Sequence, residues 1–271
     1  MIKLPTQSKV IKKEKDKAVF QIEALHPGYG ITISNTLRRV LLSSLEGAAI
    51  TQVKIKGVAH EFSTISGVLE DVVTIILNLK QIRFRMFTDE PQKAVLKVKG
   101  MKQVKAADFN LPAQLEIANK DCQIASLTSK SSQIEMEIKV EKGVGYSSRE
   151  DRQKGKLEIG AISVDAIFTP VKRVSYKIEN MRVGERTDYD RIYLEVETDG
   201  TISPEQSFYQ ASKIMVDHFS IFVDNFKPEE KPLEKPLKKI KKVEVKKTEV
   251  KKATVKPKKK DEKKKKGKKT K

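Results

Sequence analysis

The chain has 271 residues, 38 % of them apolar and 6 % aromatic, with one cysteine, Cys122, and three isolated histidines. No run approaches the ~18 apolar residues of a membrane-spanning helix, and Met1 to Lys17 has no apolar signal region. A single cysteine excludes a disulfide framework, and with His26, His60 and His218 scattered it gives no metal-ligand cluster, so the expectation is a protein of a reducing cytoplasm.

The net charge of +19 is uneven. Between Lys227 and Lys271 lie 22 lysines and 7 acidic residues, a surplus of +15 that leaves +4 for residues 1–226. The expected organisation is a nearly balanced globular body followed by a polycationic tail over 227–271. Isolated apolar residues among lysines and four prolines cannot offset chain entropy, which predicts disorder there. Such a tail attracts polyanions by counterion release, or it only solubilises; lysine runs carry no base readout.

In chain order, Ala18 to Leu25 reads as a strand closed by the turn cluster His26-Pro27-Gly28-Tyr29-Gly30. A helix follows over Ile31 to Ser44, with Ile33, Leu37, Val40 and Leu41 at helical spacing, Ser34 or Thr32 as cap and Gly47 as terminator. Arg38 and Arg39 are neighbours on it, ~100° apart, so at least one faces outward. A strand through Val53 and Ile55 leads to a second helix expected over Thr64 to Arg83, with Glu70 and Asp71 near its dipole-positive end. Strands are expected over Lys93 to Lys99 and Gln133 to Glu141, the latter alternating strictly apolar and charged, then a loop over Gly143 to Gly155. Further strands are read at Leu157 to Phe168, Val171 to Glu179 and Arg191 to Glu197. Ser203-Pro204-Glu205-Gln206 is a helix start with a capping box, followed by Phe208, Ala211, Met215, Phe219 and Phe222 at steps of three and four. Core packing is the default for that stripe; the sharper alternative is burial against a second copy.

Chemical motifs are weak. Gly28-Tyr29-Gly30 lacks the third glycine of a dinucleotide fingerprint and reads as a turn. Gly155-Lys156 lacks phosphate-loop spacing, and His60-Glu61 lacks a second histidine. Asp188 and Asp190, near Glu195 and Glu197, are the best carboxylate cluster, but the glutamates fall on the polar side of an alternating strand. No catalytic, cofactor-binding or metal-binding residues are expected on this chain.

The blocks His26-Pro27-Gly28-Tyr29-Gly30, Asn35 to Ser44, Gly57 to Thr64, Glu70-Asp71, Leu77 to Lys80, Arg186-Thr187-Asp188 and Glu197 to Ile202 closely resemble, in order, the signature of the bacterial-type RNA polymerase alpha subunit family. The resemblance covers about residues 15 to 226. It implies an α+β fold: a dimerisation subdomain over 1–46 and 170–226, with two main helices and an antiparallel sheet, and an inserted mainly-β subdomain over 47–169. It further implies a homodimer on which the beta and beta-prime subunits assemble, the nucleotidyl-transfer chemistry and its magnesium sitting on those large subunits. Arg39 matches the family arginine that holds beta, with Arg38 and Leu42 beside it; a planar guanidinium suits such an interface. Lys80, Val164, Val171 and Arg191 match other large-subunit contacts. Ile33, Leu37, Leu41, Phe208, Ala211, Met215, Phe219 and Phe222 are the implied dimer interface. The family's usual helical carboxy-terminal DNA-binding domain has no counterpart, and lysine repeats stand there instead. DNA contact is therefore expected through the assembled complex, with a non-specific contribution from the tail. The implied setting is the bacterial cytoplasm at the nucleoid, or alternatively a plastid stroma. The rival reading is a free-standing nucleic-acid-binding protein acting through the tail.

Overall fold

The computed structural model describes residue 2, residues 4–152 and residues 160–227. The lysine-rich segment beyond Lys227 and the start of the strand expected at Leu157 lie outside these residues. The first elements are β1 (Lys9–Lys13), β2 (Lys17–Leu25), α1 (Tyr29–Ser43), β3 (Glu46–Ile55), α2 (Val72–Leu79), β4 (Phe84–Met86) and β5 (Gln92–Lys99). Short strands follow: β6 (Gln103–Lys105), β7 (Phe109–Asn110), β8 (Leu115–Ile117) and β9 (Gln123–Ser126), then the long β10 (Gln133–Val144) and the short β11 (Tyr146–Ser147). The chain closes with α3 (Arg149–Arg152), β12 (Ala161–Ser163), β13 (Ala166–Ile167), β14 (Val171–Val183), β15 (Arg186–Thr198) and α4 (Pro204–Asn225).

Two antiparallel sheets each carry a core. The first has strand order β1-β2-β15-β14. Alternation fixes its faces: Ala18, Phe20 and Ile22 point inward opposite Val196, Leu194 and Ile192. Helices α1 and α4 cover that face with Leu37, Leu41 and Ala211, and the Phe208 ring stacks on Phe20 at 4.6 Å between centroids. The second sheet runs β7-β5-β10-β3-β4-β8, with β12 also paired to β3. Its centre, β10, buries Ile134, Met136, Ile138 and Val140 and turns Glu135 and Glu137 outward, where they pair with Lys97 at 2.5 Å and Lys93 at 2.8 Å. Helix α2 closes this core with Val72, Ile75 and Leu79.

Between the two cores the chain crosses itself closely. A Cβ on Gly47 would lie 1.7 Å from the Phe168 carbonyl oxygen, and one on Gly143 would lie 2.6 Å from the Phe168 ring. Only glycine permits this approach.

Several expected boundaries shift for physical reasons. The second helix spans only Val72–Leu79, because the Asp71 carboxylate accepts the Thr74 amide at 2.9 Å and caps it there. Upstream, Gly67 has φ +75°, Leu69 is 74 % exposed, and Glu70 accepts from the Ser126 amide and hydroxyl. Helix α1 begins at Tyr29 without a side-chain cap, and Gly47 belongs to β3 and terminates no helix. The expected loop over 143–155 contains the end of β10, β11 and α3, and the strand expected through Phe168 is split into β12 and β13. Helix α4 starts as expected: Ser203 accepts from the Gln206 amide, with Pro204 in the first turn. The reciprocal bond of a capping box is absent there.

Candidate assembly surfaces

Helix α1 presents one polar face and one apolar face. Arg38 and Arg39 are both exposed, and their guanidiniums have no ion pair or hydrogen bond among the described residues; the Arg39 carbonyl accepts the Ser43 hydroxyl at 2.8 Å, and Leu42 beside them is half-buried. Two unpaired guanidiniums on a rigid helix are ready donors for carboxylates or carbonyls of another chain. The helix is held by an anchor that local pattern does not reveal. Asp190, buried to 8 % exposure, accepts the amides of Gly28 and Gly30 through one carboxylate oxygen, each at 2.9 Å. This places a negative charge at the positive end of the α1 dipole. It also explains the paired glycines: Gly28 has φ +84°, and a Cβ on Gly30 would sit 2.8 Å from the carboxylate. The anion at this glycine turn is the chain's own. Its neighbour Asp188 is paired with Arg186 at 2.6 Å, and Glu195 with Lys17 at 2.7 Å. Among the described residues no three His, Cys, Asp or Glu side chains gather as metal ligands.

The apolar side of α1 opens into a groove of about 610 Å³ shared with α4, lined by Ile22, Leu25, Ile33, Leu37, Phe208, Met215, Phe219 and Val223. Helix α4 spans about 33 Å at 1.5 Å per residue. Its first half is seated on the sheet through Ser207 and Ala211, whereas its second half is bare. Val216, Phe219, Ile221, Phe222, Val223 and Phe226 are 55–82 % exposed, and Phe219 and Phe222 meet edge to face at 6.3 Å. A contiguous apolar surface of this kind marks an interaction site.

A second groove of about 550 Å³ lies beside α2 and gathers Phe62, Leu77, Lys80, Tyr146, Arg149, Val164 and Asp165. Its rim is charged in pairs: Arg149 meets Glu61 at 2.7 Å, and Lys80 meets Asp165 at 3.5 Å. The Arg149 side chain holds the Glu61 carboxyl below the usual carboxylate range. The Arg149 backbone amide, helped by Lys80, does the same for Asp165 against the opposing effect of burial. Phe62, 81 % exposed, and Tyr146, 64 % exposed, lie in separate short segments whose meeting no periodicity announces.

The sequence-expected residues therefore divide. Arg38, Arg39 and Leu42 share one helix face, and Lys80 and Val164 share the second groove. Arg191 sits apart, on the outer face of the first sheet, 2.8 Å from Glu23. Ile33, Leu37, Phe208, Met215 and Phe219 line the first groove, with the exposed Phe222 next to it. Leu41, Ala211, Val164 and Val171 are 0–4 % exposed. Within the single chain their side chains pack mainly in its own cores, Val164 at the floor of the second groove.

A family model described as "RNA polymerase Rpb3/RpoA insert domain" matches residues 53–169. Proteins described as DNA-directed RNA polymerase subunit alpha are similar over most of the chain. That of Symbiobacterium thermophilum is 46 % identical over 223 residues, 82 % of this chain and 70 % of that protein. That of Syntrophomonas wolfei is 50 % identical over 206 residues, 76 % of this chain and 65 % of that protein. For Porphyromonas gingivalis the figures are 46 % over 211 residues, 77 % and 64 %. The chain thus spans about two thirds of the length of these relatives, and among the described residues no helix is long and apolar enough to cross a membrane. It belongs to the family of DNA-directed RNA polymerase alpha subunits.

Proposed function

We propose that the chain works as a homodimeric assembly scaffold of DNA-dependent RNA polymerase, itself without catalytic residues, in the nucleoid-bearing cytoplasm. The observation that carries this is the half-seated α4. Its bare apolar half forms one wall of the groove with Phe219 and Val223, opposite Ile33 and Leu37, and carries Phe222 outside it. A two-fold arrangement satisfies both at once, each Phe219 and Phe222 stripe entering the partner's groove. In this reading residues 1–46 and 170–226 form the dimerisation subdomain and 47–169 the insert.

The unpaired Arg38 and Arg39, with Leu42, capture the beta subunit. The groove around Lys80, with its exposed Phe62 and Tyr146, receives the other large-subunit surface, and Arg191 contributes from the sheet face. The chemistry and its magnesium belong to the large subunits. The lysine surplus after Phe226 adds salt-dependent, sequence-independent attraction to DNA phosphates.

Light scattering on the full chain tests the dimer, and co-purification with beta tests the capture surface. The expected result is a dimer for both the wild-type chain and Arg39→Ala, with beta capture lost only in the variant. A monomeric wild-type chain that ignores beta would overturn the scaffold.

A further inference from the structure

We infer that Arg85 is a positioning residue: it struts the second sheet against the start of α4 and so fixes the angle between the two cores. Arg85 lies on β4, in the second sheet, yet its guanidinium reaches the turn that precedes α4. Its Nε donates to the Thr201 carbonyl at 2.9 Å and its Nη2 to the Gly200 carbonyl at 3.2 Å, while Nη1 meets Glu116 at 3.1 Å. One planar fork thus grips two backbone acceptors of one core and a carboxylate of its own sheet, which an ammonium cannot do. Two positions away, Arg83 Nε lies 3.7 Å from Asp199, whose side chain is only 6 % exposed and whose other oxygen accepts from the Thr201 amide and hydroxyl. The turn is thus also bonded internally, through Asp199 and Thr201.

The rest of the junction gives this strut its purpose. The covalent crossings lie together where Gly47 meets Phe168, too tight to slide and so suited to act as a pivot. Next to Arg85 is an open cleft of about 520 Å³, bounded by Glu46, Ile202, Gln206 and Gln210. A pivot beside empty space permits rotation, and the Arg85 guanidinium spans the gap with two hydrogen bonds, the longer Arg83–Asp199 pair lying beside it. The consequence for assembly rests on the scaffold reading: the arginines of α1 and the groove at Lys80 lie on opposite sides of this junction and must be presented at one fixed separation. The geometry does not depend on that reading.

The test is pulsed electron paramagnetic resonance on the full chain, with Asn35→Cys on α1 and Met101→Cys beyond β5 spin-labelled in a Cys122→Ser background. Both positions are exposed. Dilution with unlabelled chain restricts the signal to distances within one copy. The expected result is a single narrow distance distribution for the parent, broadened in Arg85→Ala and not restored by Arg85→Lys, which keeps the charge and loses the fork. An Arg85→Ala distribution as narrow as the parent's, at the same mean, overturns the inference. Should Arg85→Ala lose its near-ultraviolet circular dichroism, Arg85→Lys carries the test with the same two outcomes. Light scattering on the same samples separates the two readings: a broadened monomer sinks the scaffold and leaves the strut, and an unbroadened dimer does the reverse.

Discussion

The two cores of this chain solve the same problem differently. The core around β10 closes on itself: helix α2 and strands from both sides bury Ile75, Leu79, Leu96 and Ile138 to 0–1 % exposure, and its solvent face is a ladder of lysine–glutamate pairs. The core under α1 and α4 does not close. Its apolar lining continues along α4 into Val216, Phe219 and Val223 at 58–65 % exposure. Both stripes have helical spacing, so the difference lies in what the fold brings opposite them. α2 lies against a broad sheet, whereas α4 outruns a sheet of four strands. The lesson is that an apolar stripe identifies a buried face without saying whose chain buries it.

Breaking the open side has the largest expected effect. Phe219→Glu combined with Phe222→Glu places two charges in the proposed two-fold contact, and dimer affinity falls about 1,000-fold, ~4 kcal/mol, within the span of interface anchor residues. Sedimentation across a dilution series reads this, and an unchanged dimer would remove the proposed contact. The closed side responds in the opposite way. Ile75→Ala lowers unfolding free energy by about 3 kcal/mol, as large-to-small core changes do, with no change in mass. Denaturant unfolding at fixed protein concentration measures that loss.

A smaller effect sharpens the contrast at α1. Asp190→Asn removes the charge that receives the Gly28 and Gly30 amides and costs about 2 kcal/mol, the range of hydrogen bonds to charged groups. Hydrogen exchange then accelerates at the α1 amino terminus before it does in α2, whose own cap at Asp71 is untouched. Equal acceleration of both helices would mean that the loss is global.

Sequence reading succeeds where one element carries its own signal. Ser203-Pro204 starts α4, and the alternation of Ile134, Met136, Ile138 and Val140 marks β10. The signal misleads where apolar spacing outlasts the helix. Leu69 continues the stripe of α2, but Asp71 caps the helix two residues later and Leu69 stays in solvent. The site was partly legible. Arg38, Arg39 and Leu42 share one helix, and spacing alone sends at least one of the arginines outward; both are exposed, while Leu42 is half-buried against the core. Asp190 and Arg85 could not be read this way, because their partners lie 160 and about 115 residues away along the chain. Val164 and Val171, which the resemblance alone singled out, are nearly buried within the single chain, a burial that their alternating strands make readable without saying what they meet.

The smallest predicted effect compares a carboxylate of each kind of surface through pH. Glu61, at the rim of the second groove, is held below the usual carboxylate range by Arg149, and Glu135, on the closed core's solvent face, by Lys97 and then Lys56. A carboxyl depressed in the folded state contributes stability that is complete above its unfolded value and is lost as pH falls through the lower folded value. Both contributions are therefore present at neutral pH and are lost only in the acid range, and the Glu61 pair, partly exposed, contributes less than about 1 kcal/mol. Thermal melts from neutral to strongly acid buffer should show a shallower acid decline for Glu61→Gln and for Glu135→Gln than for the wild-type chain. At neutral pH the two variants part: large-subunit capture weakens in Glu61→Gln, because freed Arg149 changes the rim of the groove, and stays at the wild-type level in Glu135→Gln. Equal capture by both variants would return the Glu61–Arg149 pair to the same standing as the ladder on β10, a solvated ion pair with no part in assembly.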